Sequence, residues 1–94
     1  MKGQARSGPR RVLVAGGGVT GLTTAYKLLR RAEQGLGPQV ELRLVEPRPA
    51  LGGNIRTESV DGFVVEGGPD SFVITKPEAA ALCRELGLGA RLMP

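Results

Sequence analysis

Arg11-Val12-Leu13-Val14-Ala15-Gly16-Gly17-Gly18-Val19-Thr20-Gly21 reads as a strand that runs into a glycine turn. The apolar run Val12–Ala15 suits a parallel strand covered on both faces. Gly16, Gly18 and Gly21 have the G-x-G-x-x-G spacing, and an amphipathic segment follows at once. Gly16 lets the chain turn where a Cβ would clash, Gly18 lets a diphosphate come up to the backbone, and Gly21 lets the next helix pack closely on the strand. The free N–H groups of the first helical turn, from Gly17 through Val19 and Thr20, then face an anion with the positive end of the helix dipole behind them. No Gly-Lys-Ser/Thr ending follows, which argues against a mononucleotide P-loop. A glycine motif alone is weak evidence and could be an ordinary glycine-rich turn; the strand before it and the helix after it give it weight.

Working outward, the spacing predicts a helix over Val19–Glu33. Leu22, Ala25, Tyr26 and Leu29 recur at helical spacing and are expected to face the sheet, with Lys27, Arg30 and Arg31 outward. Tyr26 lies on that stripe and is read as core rather than as a catalytic phenol. Gly35, Gly37 and Pro38 stop the helix. A second strand, Val40–Val45, alternates Val40, Leu42 and Leu44 with Glu41 and Arg43 and ends on Glu46, about 25 positions after Gly21. A carboxylate there can accept hydrogen bonds from both ribose hydroxyls of an adenosine and disfavours a 2′-phosphate. The plainer alternative is a surface glutamate that ends a strand.

Beyond Glu46, prolines keep the loop Pro47-Arg48-Pro49-Ala50-Leu51 extended. Gly52-Gly53 permits another close backbone approach to a ligand. Asp61-Gly62 between Ile55–Val60 and Phe63–Glu66 is a hairpin signal. Gly67-Gly68-Pro69-Asp70-Ser71 makes a second polar loop. A second helix is expected from Thr75, with Thr75 and Glu78 as a capping box, Ala79, Leu82, Cys83 and Leu86 as its apolar stripe, and Gly87 at its end.

Composition narrows the function classes. Ninety-four residues hold one small domain at most, and the chain reads as the N-terminal portion of something larger. The net charge of +4 sits largely in Lys2, Arg6, Arg10 and Arg11, so residues 1–10 read as a disordered basic lead-in and residues 11–94 as the first part of a dinucleotide-binding domain. No basic face is interleaved with aromatics, which argues against nucleic acid. Arg10-Arg11 precedes only a short apolar run, so no export signal follows, and no stretch reaches the length of a membrane span. Cys83 is the single cysteine, which fits a reducing compartment; on an apolar stripe it reads as core rather than as a catalytic thiol. The absence of histidine removes a His-based triad and a His-ligated zinc site. The expected fold class is α/β: a Rossmann-like βαβ unit followed by a β-hairpin and a helix, an incomplete domain.

Taken in order, the glycine turn, the terminal Glu46, Leu51-Gly52-Gly53 with Arg56-Thr57, the hairpin and the glycine loop resemble the flavin-dependent amine oxidase and protoporphyrinogen oxidase superfamily. Gly67-Gly68-Pro69-Asp70-Ser71-Phe72 and Leu82-Cys83-Arg84-Glu85-Leu86-Gly87 look most like its protoporphyrinogen oxidase branch. The resemblance implies FAD as cofactor. Gly16, Gly17, Gly18, Val19, Thr20 and Gly21 would hold its diphosphate, and Glu46 with Pro47 its adenosine ribose. Asn54 would touch the cofactor, and Gly68, Pro69, Asp70 and Ser71 would lie near the flavin. It implies an oxygen-dependent oxidation of protoporphyrinogen IX to protoporphyrin IX in haem biosynthesis, with no catalytic acid or base and no metal in this stretch. It also implies a cytoplasmic location, with peripheral contact at the inner face of the membrane as an option that these residues do not encode. Coproporphyrinogen III, an amine or a polyene are alternative substrates, NAD is an alternative ligand, and a non-catalytic nucleotide-binding remnant is a third reading. The family has an arginine directly before Leu-Gly-Gly; here that position is Ala50, with Arg48 nearby.

Overall fold

The computed structural model describes residues 8–94, so Met1 to Ser7 of the expected lead-in lie outside the described residues. The order of elements is β1 (Arg10–Ala15), α1 (Val19–Glu33), β2 (Val40–Val45), β3 (Thr57–Val60), β4 (Phe63–Glu66) and α2 (Pro77–Glu85), then a 3-10 turn at Gly89–Arg91. The class is α/β, as expected. β1 and β2 pair in parallel with Arg10 opposite Val40 and Ala15 opposite Val45, bridged by α1. β3 and β4 form a separate antiparallel hairpin.

β1 starts two residues before the apolar run. Arg10 N–H donates to the Gln39 carbonyl at 2.8 Å, so strand pairing draws Arg10 into the sheet although its side chain is exposed. The expectation that β1 is covered on both faces does not hold among the described residues. Val12 and Val14 are half-buried on one face, whereas Leu13, on the other, is 65% exposed. α1 covers one face only, and the side chains follow the period of two.

α1 has the expected bounds, but its inner face is turned from the expected stripe. Ala25 and Ala32 are buried, Leu22 and Leu28 flank them half-buried, and Leu29 is 41% exposed. Gly21 lies on the same face and packs against Val14 of β1. Small residues let the helix axis come close to the sheet, and the leucines fill the margins. Tyr26 of the expected stripe is half-buried, and hydrophobic spacing alone, which weights the large residues, extends the stripe too far only at Leu29.

Both helices end as Schellman motifs. Leu36 N–H donates to the Arg31 carbonyl and Gly35 N–H to the Ala32 carbonyl; Leu88 and Gly87 repeat the pattern on Cys83 and Arg84. The hairpin turn is as expected: Asp61 and Gly62 both have positive φ, 50° and 81°, the pair that a type I′ turn needs.

The start of α2 corrects the sequence reading. Its N-cap is Lys76, Pro77 is the first helical residue, and no side chain caps it. Proline pushes the preceding residue out of the helical region, and Lys76 is extended at φ −103°, ψ 107°. Thr75 is thereby displaced outside the helix and cannot reach its amides. Thr75→Ala is therefore expected to change stability by less than about 0.5 kcal/mol, where losing a working cap costs about 1 kcal/mol; equilibrium denaturation checks this. On the expected stripe of α2, Ala79, Leu82 and Cys83 are half-buried and Leu86 is exposed, while Ala80 is buried. Lys27 Nζ donates to Glu85 Oε2 at 2.7 Å and ties α2 to α1.

Candidate functional site: a cleft at the end of the parallel strands

The carboxyl ends of β1 and β2 open into a cleft of about 840 Å3. Open parallel sheets offer their ligand sites in this place, because loops leaving the strand ends diverge there and helix N-termini point at it. The sequence sets up each wall. Gly16, at φ +110°, turns the chain out of β1 in a conformation that side-chain-bearing residues rarely adopt. Gly16 N–H still bonds to the Val45 carbonyl at 2.8 Å, so the turn stays anchored to β2. A Cβ on Gly21 would collide with the Gly16 carbonyl, which brings the first turn of α1 directly onto the strand end.

No side chain caps α1, and its first turn holds no acidic residue. Among the described residues no acceptor meets the N–H groups of Gly18, Val19, Thr20 or Gly21. These donors and the helix dipole make the cleft floor an anion site.

Glu46 stands opposite them. Its Oε1 accepts from Gly17 N–H at 2.8 Å and its Oε2 from Arg48 N–H at 2.8 Å. These two donors, Arg48 first, hold the Glu46 carboxyl below its ordinary value, and the Arg48 charge adds to the effect. A carboxylate has about four lone-pair sites, so both oxygens retain acceptor capacity toward the cleft. Gly52 N–H donates to the Gly17 carbonyl at 2.8 Å, which lays the Gly52-Gly53 turn against the first glycine turn. A Cβ on Gly53 would press on the Gly18 Cα.

Of the residues expected in a site, Gly16, Gly18, Val19, Thr20, Gly21, Glu46, Pro47, Asn54 and Pro69 line this one cleft. Gly17 lies beneath it as the donor to Glu46. Gly68, Asp70 and Ser71 do not line it; a Cβ on Gly68 would collide with the Asn54 carbonyl, so this loop is held against the cleft wall and reaches the cleft through Pro69. Val14, Ala15, Thr24, Arg48, Gly52, Gly53 and Ile55 also line it. The diglycine was a readable signal for two of them. In the sequence Arg48 stands out only as the arginine nearest Ala50; its place on the cleft depends on how the loop folds back.

The Flavin containing amine oxidoreductase family model matches residues 19–94. The chain belongs to that family. Members of this flavin family therefore share most of its length, and the expected kinship with amine and porphyrinogen oxidases holds. A coproporphyrinogen III oxidase of Mycobacterium tuberculosis is 43% identical over 83 residues, which is 88% of this chain and 18% of that protein. One of Bacillus subtilis is 42% identical, over 86% of this chain and 17% of that protein. Protoporphyrinogen oxidase 2, chloroplastic/mitochondrial, of Arabidopsis thaliana is 33% identical, over 84% and 14%. A crystal structure of a protein assigned as a protoporphyrinogen oxidase, from Exiguobacterium sp. 255-15, superposes with a TM-score of 0.74 at 37% identity, over 86% of this chain and 17% of that one. The chain thus spans less than a fifth of the length of the curated relatives it matches.

Proposed function

We propose that this chain forms the FAD-binding part of a flavoenzyme that oxidises a porphyrinogen in haem biosynthesis. The observation that carries the reading is the cleft itself: four N–H groups at the start of α1, without a partner among the described residues, border the same cleft as the Glu46 carboxyl, which two main-chain donors hold below its ordinary value. That pairing of an anion site with a ribose acceptor fits an adenine dinucleotide. Membership of the flavin family supports FAD as that dinucleotide. Gly16 to Gly21 receive the diphosphate, Glu46 and Pro47 the ribose, and Asn54 and Pro69 close the far wall, with Gly68, Asp70 and Ser71 supporting it. When bound, such a flavin supplies two-electron oxidation of a C–H donor, with oxygen as terminal acceptor. The residues described here bind and orient; none is asked to move a proton.

The substrate rests on the relatives. Coproporphyrinogen III has the support of those at 42–43% identity. Protoporphyrinogen IX, the expectation from sequence, has that of the Arabidopsis relative and the Exiguobacterium structure and stands as the second reading. Among the described residues no helix is long and apolar enough to cross a membrane. The lone Cys83 supports a reducing, cytoplasmic compartment.

Titrating the purified chain with FAD tests the binding reading. Quenching of flavin fluorescence and a rise in melting temperature are expected, since a ligand that binds only the folded state stabilises it by mass action. FMN, which lacks the adenosine half, should bind far more weakly. Equal affinity for FMN and FAD would contradict the role given to Glu46. Porphyrin fluorescence after feeding each porphyrinogen to the enzyme that carries this sequence decides between the substrates; turnover of amines alone would remove both.

A further inference from the structure

We infer that Thr57 and Glu66, bonded across the base of the hairpin, are positioning residues that hold the far wall of the cleft in place for the flavin half of the dinucleotide. The inference rests on reading the cleft as an FAD site. Thr57 Oγ1 donates to Glu66 Oε2 at 2.7 Å. The two residues stand directly opposite each other as the outermost pair of β3 and β4. Among the described residues neither strand of the hairpin lies against β1, β2 or α1. Phe63 and Val64 are 73% and 72% exposed. Packing therefore does not fix the hairpin on the βαβ unit, and the chain segments at its base make the connection.

Both of those segments run to the cleft. On one side the chain leads back through Ile55 and Asn54 to the diglycine turn, which Gly52 N–H ties to the Gly17 carbonyl at 2.8 Å. On the other it leads through Gly67 and Gly68 to Pro69. Asn54, Ile55 and Pro69 line the cleft, so the separation of the two segments sets that wall. A main-chain bond joins them, from Gly67 N–H to the Arg56 carbonyl at 2.7 Å. Rungs with and without main-chain bonds alternate along an antiparallel pair. The two-residue turn puts Val60 and Phe63 on a bonded rung, so Thr57 and Glu66 fall on an unbonded one, where side chains come closest. There the hydroxyl–carboxylate bond supplies the link that the main chain omits, and its charged acceptor makes it a strong one. Just beyond this rung the fit is close. A Cβ on Gly68 would collide with the Asn54 carbonyl, so any splaying of the base opens the contact that carries Pro69.

The test uses FAD and ADP as probes, titrated calorimetrically against the purified chain. ADP carries only the diphosphate and adenosine assigned to Gly16 to Gly21 and Glu46, so it reports on the cleft without the far wall. Thr57→Val keeps the branching of threonine and removes the donor. It is expected to weaken FAD about fivefold and to leave ADP unchanged. Thr57→Ser, which keeps the hydroxyl, should bind FAD as the unaltered chain does. Glu66→Ala should match Thr57→Val, and the double variant should lose no more than either, because each removes the same bond. Circular dichroism verifies that each variant folds, and Thr57→Ala serves if valine does not. Unchanged FAD affinity in Thr57→Val overturns the inference. So does an equal loss of FAD and ADP, which would mark a general loosening of the fold, and so do additive losses in the double variant. If the unaltered chain does not bind FAD, the FAD reading fails and this one with it; if it binds FAD and Thr57→Val is silent, only the role of Thr57 and Glu66 falls.

Discussion

Gly21→Ala is expected to unfold the chain or nearly so, and Gly18→Ala to leave it folded but unable to hold FAD. The two glycines belong to one motif, yet a methyl at each meets different surroundings. At Gly21 it would run into the Gly16 carbonyl, with Val14 also in contact. Both are strand-end groups that cannot turn aside. Alanine gains about 1 kcal/mol over glycine in helix propensity, but overpacking against fixed atoms costs about 3 kcal/mol, so the clash wins. Among the described residues the buried side chains are only Ala25, Ala32 and Ala80, so little reserve stands against such a loss. At Gly18 the backbone is extended at φ −78°, open to any residue, and the methyl would touch only the Gly53 Cα at an ordinary 3.8 Å. The fold should survive. The same methyl would occupy the approach of the diphosphate to the main chain, and FAD affinity should fall about a hundredfold. Urea denaturation and flavin titration of both variants read the contrast. A Gly18→Ala chain that keeps full FAD affinity would move the diphosphate elsewhere.

Glu46→Gln should weaken FAD by about tenfold to a hundredfold. The carboxylate serves Gly17 N–H and Arg48 N–H with one oxygen each. A carboxamide has one acceptor oxygen, so one of these amides would face an NH2 group. The ribose would also lose a charged acceptor. The pH profile separates this from a simple loss of fit. Because the Arg48 and Gly17 amides depress the folded pKa of Glu46, its contribution is complete above the unfolded carboxylate value. It is lost as pH falls through the lower, folded value. FAD affinity of the unaltered chain should therefore hold into mildly acidic solution and then drop, and Glu46→Gln should lack that acid limb. Glu85, depressed chiefly by its hydrogen bond from Lys27, has the same sign, so an acid limb in stability persists in the variant while the limb in affinity disappears. An affinity profile unchanged by the substitution would detach Glu46 from the ribose.

The sequence by itself determined the βαβ unit, the hairpin turn, the glycine stops of both helices and most of the cleft's main-chain wall. These follow from local rules: period two in Val40–Val45, period 3.6 in α1, and positive φ at Asp61-Gly62. Each acts over a few residues, so each leaves a mark in the order of residues. Tertiary structure alone decided the rest. It drew Arg10 into β1 through pairing with β2, and turned α1 so that Gly21, Ala25 and Ala32 meet the sheet. It gave both oxygens of Glu46 to main-chain donors and brought Arg48 to the cleft. These depend on distances between segments far apart in the chain, such as Gly17 to Glu46 and Gly17 to Gly52. Local spacing carries no record of such distances, because they exist only once the strands have paired.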